Sequence, residues 1–298
     1  MTESKTPTRP IASISLIPKT DSDRVRILRA LDEMAGDDQT IRIEADPDGG
    51  VIGVKGMGEL HLEIIRDRLS HEHKFQFDFS GPEAIYLETI RRVAEAEGKY
   101  VRVASRIHLY GHAKLRLVPL DRGTGYEFIN EVPDDVLPPQ SVQAVNFGVQ
   151  EAMRGGILVG NELVDLRAVL CGGSWHAEGS NEMAFKIAGS LAFKEAARKA
   201  SPLLLEPMMA IKVEVPEEYA GTVMGDLSSR RALIKGMEGR ADSVIIAAEV
   251  PLAEMFGYPD RLRMATSGWG NYTLDFSHYE ECPWREDSGG DEIRVTAN

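Results

Sequence analysis

Several side chains in this 298-residue chain have types and spacings that can do chemistry. His61 and Glu63 stand two apart, the spacing at which zinc deaminases place a ligand and a general acid/base, but those enzymes also need a later Pro-Cys-x-x-Cys. The one Cys-Pro here is Cys282-Pro283, with no second cysteine beside it, so His61 and Glu63 read as helix surface. His71 and His73 fall on opposite sides of a helix or on one side of a strand, without the further ligands zinc demands. Gly56-x-Gly58 has the glycines of part of a phosphate loop, yet the chain lacks G-x-x-x-x-G-K-[ST], whose Lys and hydroxyl hold phosphates and Mg²⁺. Ser174, His176 and Ser180 could supply a nucleophile and a base, but spacing assigns them no carboxylate and no oxyanion donor. The expectation is a chain with no catalytic residue, no metal site and no cofactor; a hydrolase using Ser174 and His176 is the weakest reading.

Composition bounds the rest. Hydrophobic residues make up 43% of the chain and charged residues 27%, the balance of a folded globular protein. The length suits two or three small domains. No stretch approaches the roughly 20 apolar residues that span a bilayer, and the start Met-Thr-Glu-Ser-Lys lacks the apolar core of a secretory signal, so a cytoplasmic protein with no membrane partner is expected. Cys171 and Cys282 are too few for a disulfide scaffold. A net charge of −13 argues against general coating of nucleic acid, which relies on Lys and Arg. Any RNA contact must be local, and residues 91–206, with as many cationic as acidic side chains, are the permissive part.

The elements that would position these residues follow from periodicity. Ile11–Ile17 reads as a strand, and Val25, Leu28, Leu31 and Met34 recur at helical spacing. Ile41 and Ile43, the turn Asp48-Gly49-Gly50 and Val51–Val54 predict a hairpin. A helix opens at Gly56-Met57-Gly58-Glu59, with Leu60, Ile64 and Leu69 on one face, and Phe75, Phe77 and Phe79 alternate as a last strand. The order β-α-β-β-α-β returns over residues 209–279, with helices at Glu217–Ser229 and Leu252–Ala265. Between the two lies a different pattern: strand over Tyr100–Val118, strand Tyr126–Val132, a helix near Val142–Met153, strand Val164–Cys171 and a helix from Glu182 to Lys199. Beyond Tyr279 the chain turns acidic and Gly-rich, as a fraying tail does.

Read together, these segments carry a resemblance. Gly56-Met57-Gly58-Glu59-Leu60-His61-Leu62-Glu63-Ile64 resembles the signature of the third domain of elongation factor G. Tyr110-Gly111-His112, Gly125-Tyr126-Glu127-Phe128, Glu182–Ala188 and Lys194-Glu195-Ala196 resemble its fourth. Leu205–Met208, Gly225-Asp226-Leu227, Arg230-Arg231 and Val250–Tyr258 resemble its fifth. The match covers about residues 9–283, in order. It implies an α+β chain of three small domains, ferredoxin-like, ribosomal protein S5 domain 2-like and ferredoxin-like. The domains fall at residues 9–89, 90–206 and 207–281, after a polar lead-in at 1–8 and before an acidic flexible tail at 282–298.

The resemblance further implies a monomeric, ribosome-binding part of a translation factor whose GTPase, and with it GTP, belongs to the full-length relative. Its partners would be factor-site ribosomal proteins, rRNA of the decoding and GTPase-associated regions, and the tRNA-mRNA at the A site during translocation. Two loops of the fourth domain suit close approach to RNA, where hydroxyls, imidazoles and cations meet phosphates and 2′-OH groups. The first, Ala104–Leu109, offers Ser105, Arg106 and His108, with His112 just beyond. The second, Gly173–Asn181, offers Ser174, Trp175, His176, Ser180 and Asn181, and His176 aligns with the tip histidine of the family loop. Departures accompany the matches. A glycine-free Ala104-Ser105-Arg106-Ile107-His108-Leu109 replaces the family's Gly-Gly-Arg-Gly-Gln, and Ala177 and Gly179 stand where aspartates are usual. In the last domain Ala232 and Trp269 replace a glycine and an arginine. A stand-alone regulatory or ribosome-protection module that occupies the factor site without driving translocation is the alternative. Whether the chain is a piece of a longer factor or a short gene product is left open by its residues.

Overall fold

A computed structural model describes residues 9–45, 49–104, 107–240 and 242–283. These form two compact units, one from the described parts of residues 1–85 and 206–280, the other from 86–205 and the residues after 280.

The first unit opens with β1 (Ala12–Pro18), α1 (Asp21–Asp37), β2 (Arg42–Ala45), β3 (Ile52–Gly56), α2 (Glu59–Asp67), β4 (Phe77–Phe79) and a short β5 (Glu83–Ala84). The sheet order β2-β3-β1-β4, with antiparallel pairs, is that of a ferredoxin-like split β-α-β unit. The hydroxyl of Thr20 accepts the Asp23 N–H at 3.1 Å to cap α1, and Asp21 and Asp23 in its first turn suit the positive end of the helix. Ile27, Ala30, Leu31 and Met34 are its buried stripe.

One residue of α1 and the face of α2 differ from expectation, while Leu31 and Met34 are buried and Leu28 packs on the core as expected. Val25 is 66% exposed, its place in the core taken by Ile27. On α2, Leu60 and Ile64 are 70% and 50% exposed, while Leu62 and Ile65 are buried, as is Leu69 in the π-helical turn Arg68–Glu72 that follows. Both sets have helical spacing, so periodicity alone does not choose between them; packing on the sheet does. A Cβ on Gly56 would lie 3.1 Å from the Leu62 side chain, which is how closely that stripe approaches β3. Phe75 is not in a strand: the π turn and Lys74, at φ 55°, carry the chain on so that only Phe77–Phe79 pairs with β1. His61 is fixed in place, Nδ1 accepting the Met57 N–H at 3.1 Å and Nε2 lying 3.3 Å from Asp38.

The second unit contains β6 (Leu87–Ile90), β7 (Ala94–Ala104), β8 (Ile107–Pro119), β9 (Tyr126–Asn130), α3 (Pro139–Arg154), β10 (Leu166–Ser174) and α4 (Glu182–Lys199). The sheet runs β7-β8-β10-β9, antiparallel except for β9 with β10, in keeping with the S5-like expectation. Strand β7 begins at Ala94, ahead of the expected Tyr100, and makes with β8 one long hairpin. Helices α3 and α4 meet at glycines: a Cβ on Gly148 would lie 2.0 Å from the Lys186 carbonyl oxygen, and one on Gly189 2.6 Å from that of Val145. The β6 strand pairs with the first residues of β11 (Pro202–Val215), and inside β11 the chain passes back to the first unit at Glu206.

There α5 (Glu217–Ser229), β12 (Leu233–Gly239), β13 (Val244–Pro251), α6 (Tyr258–Ala265) and β14 (Asn271–Glu281) complete a second ferredoxin-like sheet in the order β12-β13-β11-β14. The expected single helix Leu252–Ala265 is divided into a 3₁₀ turn, Leu252–Glu254, and α6, because Gly257 sits at φ 70°, outside the helical region. The strand also outlasts Tyr279: β14 reaches Glu281, and Cys282 is buried, its N–H donating to the Leu204 carbonyl at 2.9 Å. The rest of the expected acidic tail lies outside the described residues.

Within the first unit a carboxylate joins the two ferredoxin-like halves. Both oxygens of Glu59, on α2, lie 3.1 Å from the Gly257 N–H that precedes α6. Burial lifts the Glu59 carboxyl above its ordinary 4.5 against the lowering effect of that N–H, with Glu63 and Asp260 pushing the same way as burial. A carboxyl raised on folding favours the native state below its unfolded pKa, and the contribution is lost as pH climbs through the folded value. Glu59→Gln removes this titration. The variant should therefore gain stability relative to the parent as pH rises from about 4.5, read as the difference in urea midpoints at successive pH values. A difference that stays constant across that window would show that Glu59 does not titrate differently on folding.

Candidate nucleic-acid interface

In the second unit the end of β10 and the turn into α4 lie beside the middle of β8. Gly173 lets β10 pass close: the register shifts between Leu170 and Gly172, and a Cβ on Gly173 would lie 2.6 Å from the His112 carbonyl oxygen. Ser174 pairs with His112 at the last position of the strand. The turn then carries Trp175, 43% exposed, and the exposed His176, Ala177 and Glu178 before Gly179, at φ 102°. It closes on itself, the His176 N–H donating to Ser180 Oγ at 3.0 Å and the Ser180 N–H to the His176 carbonyl at 3.3 Å. Asn181 caps α4, its side-chain oxygen accepting the Ala184 N–H at 2.8 Å.

A polar network runs beneath this turn. Ser174 Oγ lies 2.6 Å from Tyr110 Oη and 2.9 Å from His112 Nδ1, while His112 Nε2 is 3.4 Å from Glu97. The Tyr110 and Ser174 hydroxyls and the two ring nitrogens of His112 thus form one chain of polar contacts that ends at Glu97. The Tyr110 ring meets His176 edge-on, centroids 4.3 Å apart, and Lys99 Nζ stands 5.7 Å from the centroid of the same tyrosine ring. The Tyr110 N–H donates to the Gly179 carbonyl at 2.8 Å.

The predicted residues His112, Ser174, His176, Ser180 and Asn181 thus share one end of the unit, with Trp175 beside them. His108 is exposed near the start of β8, and its carbonyl oxygen would be 2.9 Å from a Cβ on Gly179. Ser105 and Arg106 lie outside the described residues. The imagined pairing of Ser174 with His176 as nucleophile and base is corrected: the imidazole on Ser174 is His112, the hydroxyl is shared with Tyr110, and the carboxylate contact is long. Sequence reading missed Tyr110, Glu97 and Lys99 as members of the network. The available signal was Tyr110 and His112 two apart on one strand, hence on one face, with Lys99 paired opposite His112.

The neighbouring sheet surface is ion-paired. Lys114 binds Glu95 at 2.9 Å, which holds the lysine above and the carboxylate below its ordinary value; Arg116 binds Glu131, also at 2.9 Å. Burial, with Glu95 acting the same way, pushes the Cys171 thiol up, so it stays protonated at neutral pH. Among the described residues no group of three or more His, Cys, Asp or Glu is placed to hold a metal, and no helix is long and apolar enough to cross a membrane.

Such a surface presents imidazoles, hydroxyls, an amide and an exposed indole on a turn whose backbone is tied to itself and to β8, the groups that meet phosphates, 2′-OH groups and unstacked bases. Residues 7–80 match the family model described as elongation factor G domain III, residues 82–201 that of elongation factor G domain IV, and residues 203–287 that of the elongation factor G C-terminus. A crystal structure of a Thermus thermophilus protein is 38% identical over 92% of this chain, with a TM-score of 0.71. The chain spans 41% of that protein's length.

Proposed function

Because the chain belongs to the elongation factor G family, carrying its domains III, IV and C-terminal in order, we propose that it is the part of a translation elongation factor that binds the ribosome at the factor site. The observation that carries this reading is the convergence of Ser174, His176, Ser180 and Asn181 on one turn of the domain IV unit, held from below by Tyr110 and His112. On this proposal the turn, with His108, Ser105 and Arg106, meets rRNA of the decoding region and the tRNA-mRNA at the A site. The C-terminal domain meets the GTPase-associated region, and the chain acts as a cytoplasmic monomer in translocation.

One feature favours the second reading, occupancy without translocation. Gly179, where an aspartate is usual in the family, sits at φ 102° with no room for a Cβ. An L-residue there is strained, so the turn is built on a backbone that an aspartate-bearing loop would not adopt.

Ribosome pelleting tests the proposal. The chain should sediment with 70S particles, less so as salt rises, and be displaced by intact elongation factor G. His176→Ala should cost under about 0.5 kcal/mol of folding stability, as exposed changes do, and should erase footprints in the decoding region while keeping those near the GTPase-associated centre. Binding undiminished by excess competitor would mean the site is a different one. Translocation assays with a separately supplied GTPase half then divide the two readings.

A further inference from the structure

We propose that Tyr110 is the positioning residue of the His176 turn: it holds the turn in one conformation before any ligand arrives. The proposal rests on reading this turn as the RNA-facing surface, but the clamp itself is a property of the free chain.

Tyr110 reaches the turn at three separate places. Its hydroxyl binds Ser174 Oγ at 2.6 Å, where the turn leaves β10. Its ring packs edge-on against His176 at 4.3 Å, an arrangement the ring quadrupole favours. Its N–H donates to Gly179 at 2.8 Å, and its backbone forms a parallel bridge with Ser180, where the turn enters α4. Entry, tip and exit are thus referred to one side chain and one peptide group. Tyr110 is itself held: it pairs with Val101 in the long hairpin, and Gly111 beside it lies against the first turn of α4.

Trp175, His176, Ala177 and Glu178 are exposed on a surface turn, and such turns lose conformational entropy when they bind. The turn's internal bonds, His176 N–H to Ser180 Oγ and Ser180 N–H to the His176 carbonyl, close it on itself but do not tie it to the sheet. Tyr110 and His112 supply that tie, and of the two it is Tyr110 whose ring packs on His176. Removing the ring should therefore free the tip while leaving the cap at Asn181 in place.

Amide hydrogen exchange of the whole chain, with the NMR signals of the His176 ring, tests this without a ribosome. In Tyr110→Ala the His176 and Ser180 amides should exchange about tenfold faster, amides of α3 and α4 should hold to within about twofold, and the His176 ring protons should move toward free-histidine shifts. Tyr110→Phe keeps the ring and loses the hydroxyl, so it should preserve the His176 shifts and loosen the turn less. Unchanged exchange and ring shifts in both variants would overturn the clamp even if ribosome binding is intact. Faster exchange in a chain that does not bind ribosomes would uphold the clamp and defeat the functional reading. Should Tyr110→Ala unfold the unit, Tyr110→Phe with Ser174→Ala decides: turn amides as protected as in the parent would overturn it.

Discussion

Glu88→Ala should cost the second unit about 3–5 kcal/mol, the scale for breaking a hydrogen-bond network gathered on one buried side chain. Glu88 has no exposed surface, and its carboxylate accepts four backbone N–H groups: Ile157 at 2.6 Å, Leu158 at 2.9 Å, Val159 at 3.0 Å and Asn161 at 3.1 Å. The segment wraps around it with Gly156 and Gly160 at positive φ, and a Cβ on Gly156 would lie 2.7 Å from Glu88 Oε1. Its backbone is tied to the same place, the Glu88 N–H donating to Glu162 and the Val164 N–H to Glu88. Alanine leaves four part-buried donors without an acceptor, and each must be rehydrated by opening the loop or remain unpaired. Glu88→Gln should cost roughly half as much, since one carbonyl oxygen remains while its NH₂ faces donors. Urea unfolding gives the energies. Hydrogen exchange should show the amides of residues 157–161 losing protection in both variants, and full protection in Glu88→Ala would mean that the carboxylate does not hold the loop.

Sequence periodicity could not reveal Glu88. Leu87-Glu88-Thr89-Ile90 is buried on both faces, so alternation gives no sign, and the donors that make a carboxylate tolerable there come from about 70 residues later. What depends on neighbours in the chain was legible: the bounds Glu217–Ser229 and Glu182–Lys199 match the sequence expectation, and so does the twice-repeated β-α-β-β-α-β order. What depends on tertiary choice was not. Leu60 and Ile64 have the spacing of a core stripe but face out, because Leu62 and Ile65 have it too and approach the sheet at Gly56. The candidate site divides in the same way. His176, Ser180 and Asn181 stand together in the chain, whereas the bond from Ser174 to Tyr110 spans 64 positions and needs the fold to become visible.

Gly111→Ala should be among the most damaging single-methyl changes in the chain, and it should act on the candidate site as well as on stability. A Cβ at Gly111 would stand 2.3 Å from the Ala184 carbonyl oxygen and 2.4 Å from its carbon, and one at Gly98 2.1 Å from the Ala188 carbonyl oxygen and 2.5 Å from the Ala192 N. These are backbone atoms of α4, which no rotamer change can move aside, so the helix must lift from β7 and β8. Each substitution should cost roughly 2–3 kcal/mol, the upper part of the range for overpacking. Gly111 and Gly98 meet α4 one turn or so apart, and a helix already lifted by the first methyl accommodates the second more easily. The double variant should therefore be less destabilised than the two costs added, by more than about 0.5 kcal/mol. Position distinguishes their effects on the turn: Gly111 lies between Tyr110 and His112 and against the turn of α4 that Asn181 caps, whereas Gly98 contacts the helix farther along. Gly111→Ala should shift the His176 ring signals and weaken decoding-region footprints, while Gly98→Ala should lower stability as much and disturb the turn less. Strict additivity of the energies, or equal disturbance of His176 by both variants, would mean that α4 does not transmit strain to the turn along this contact.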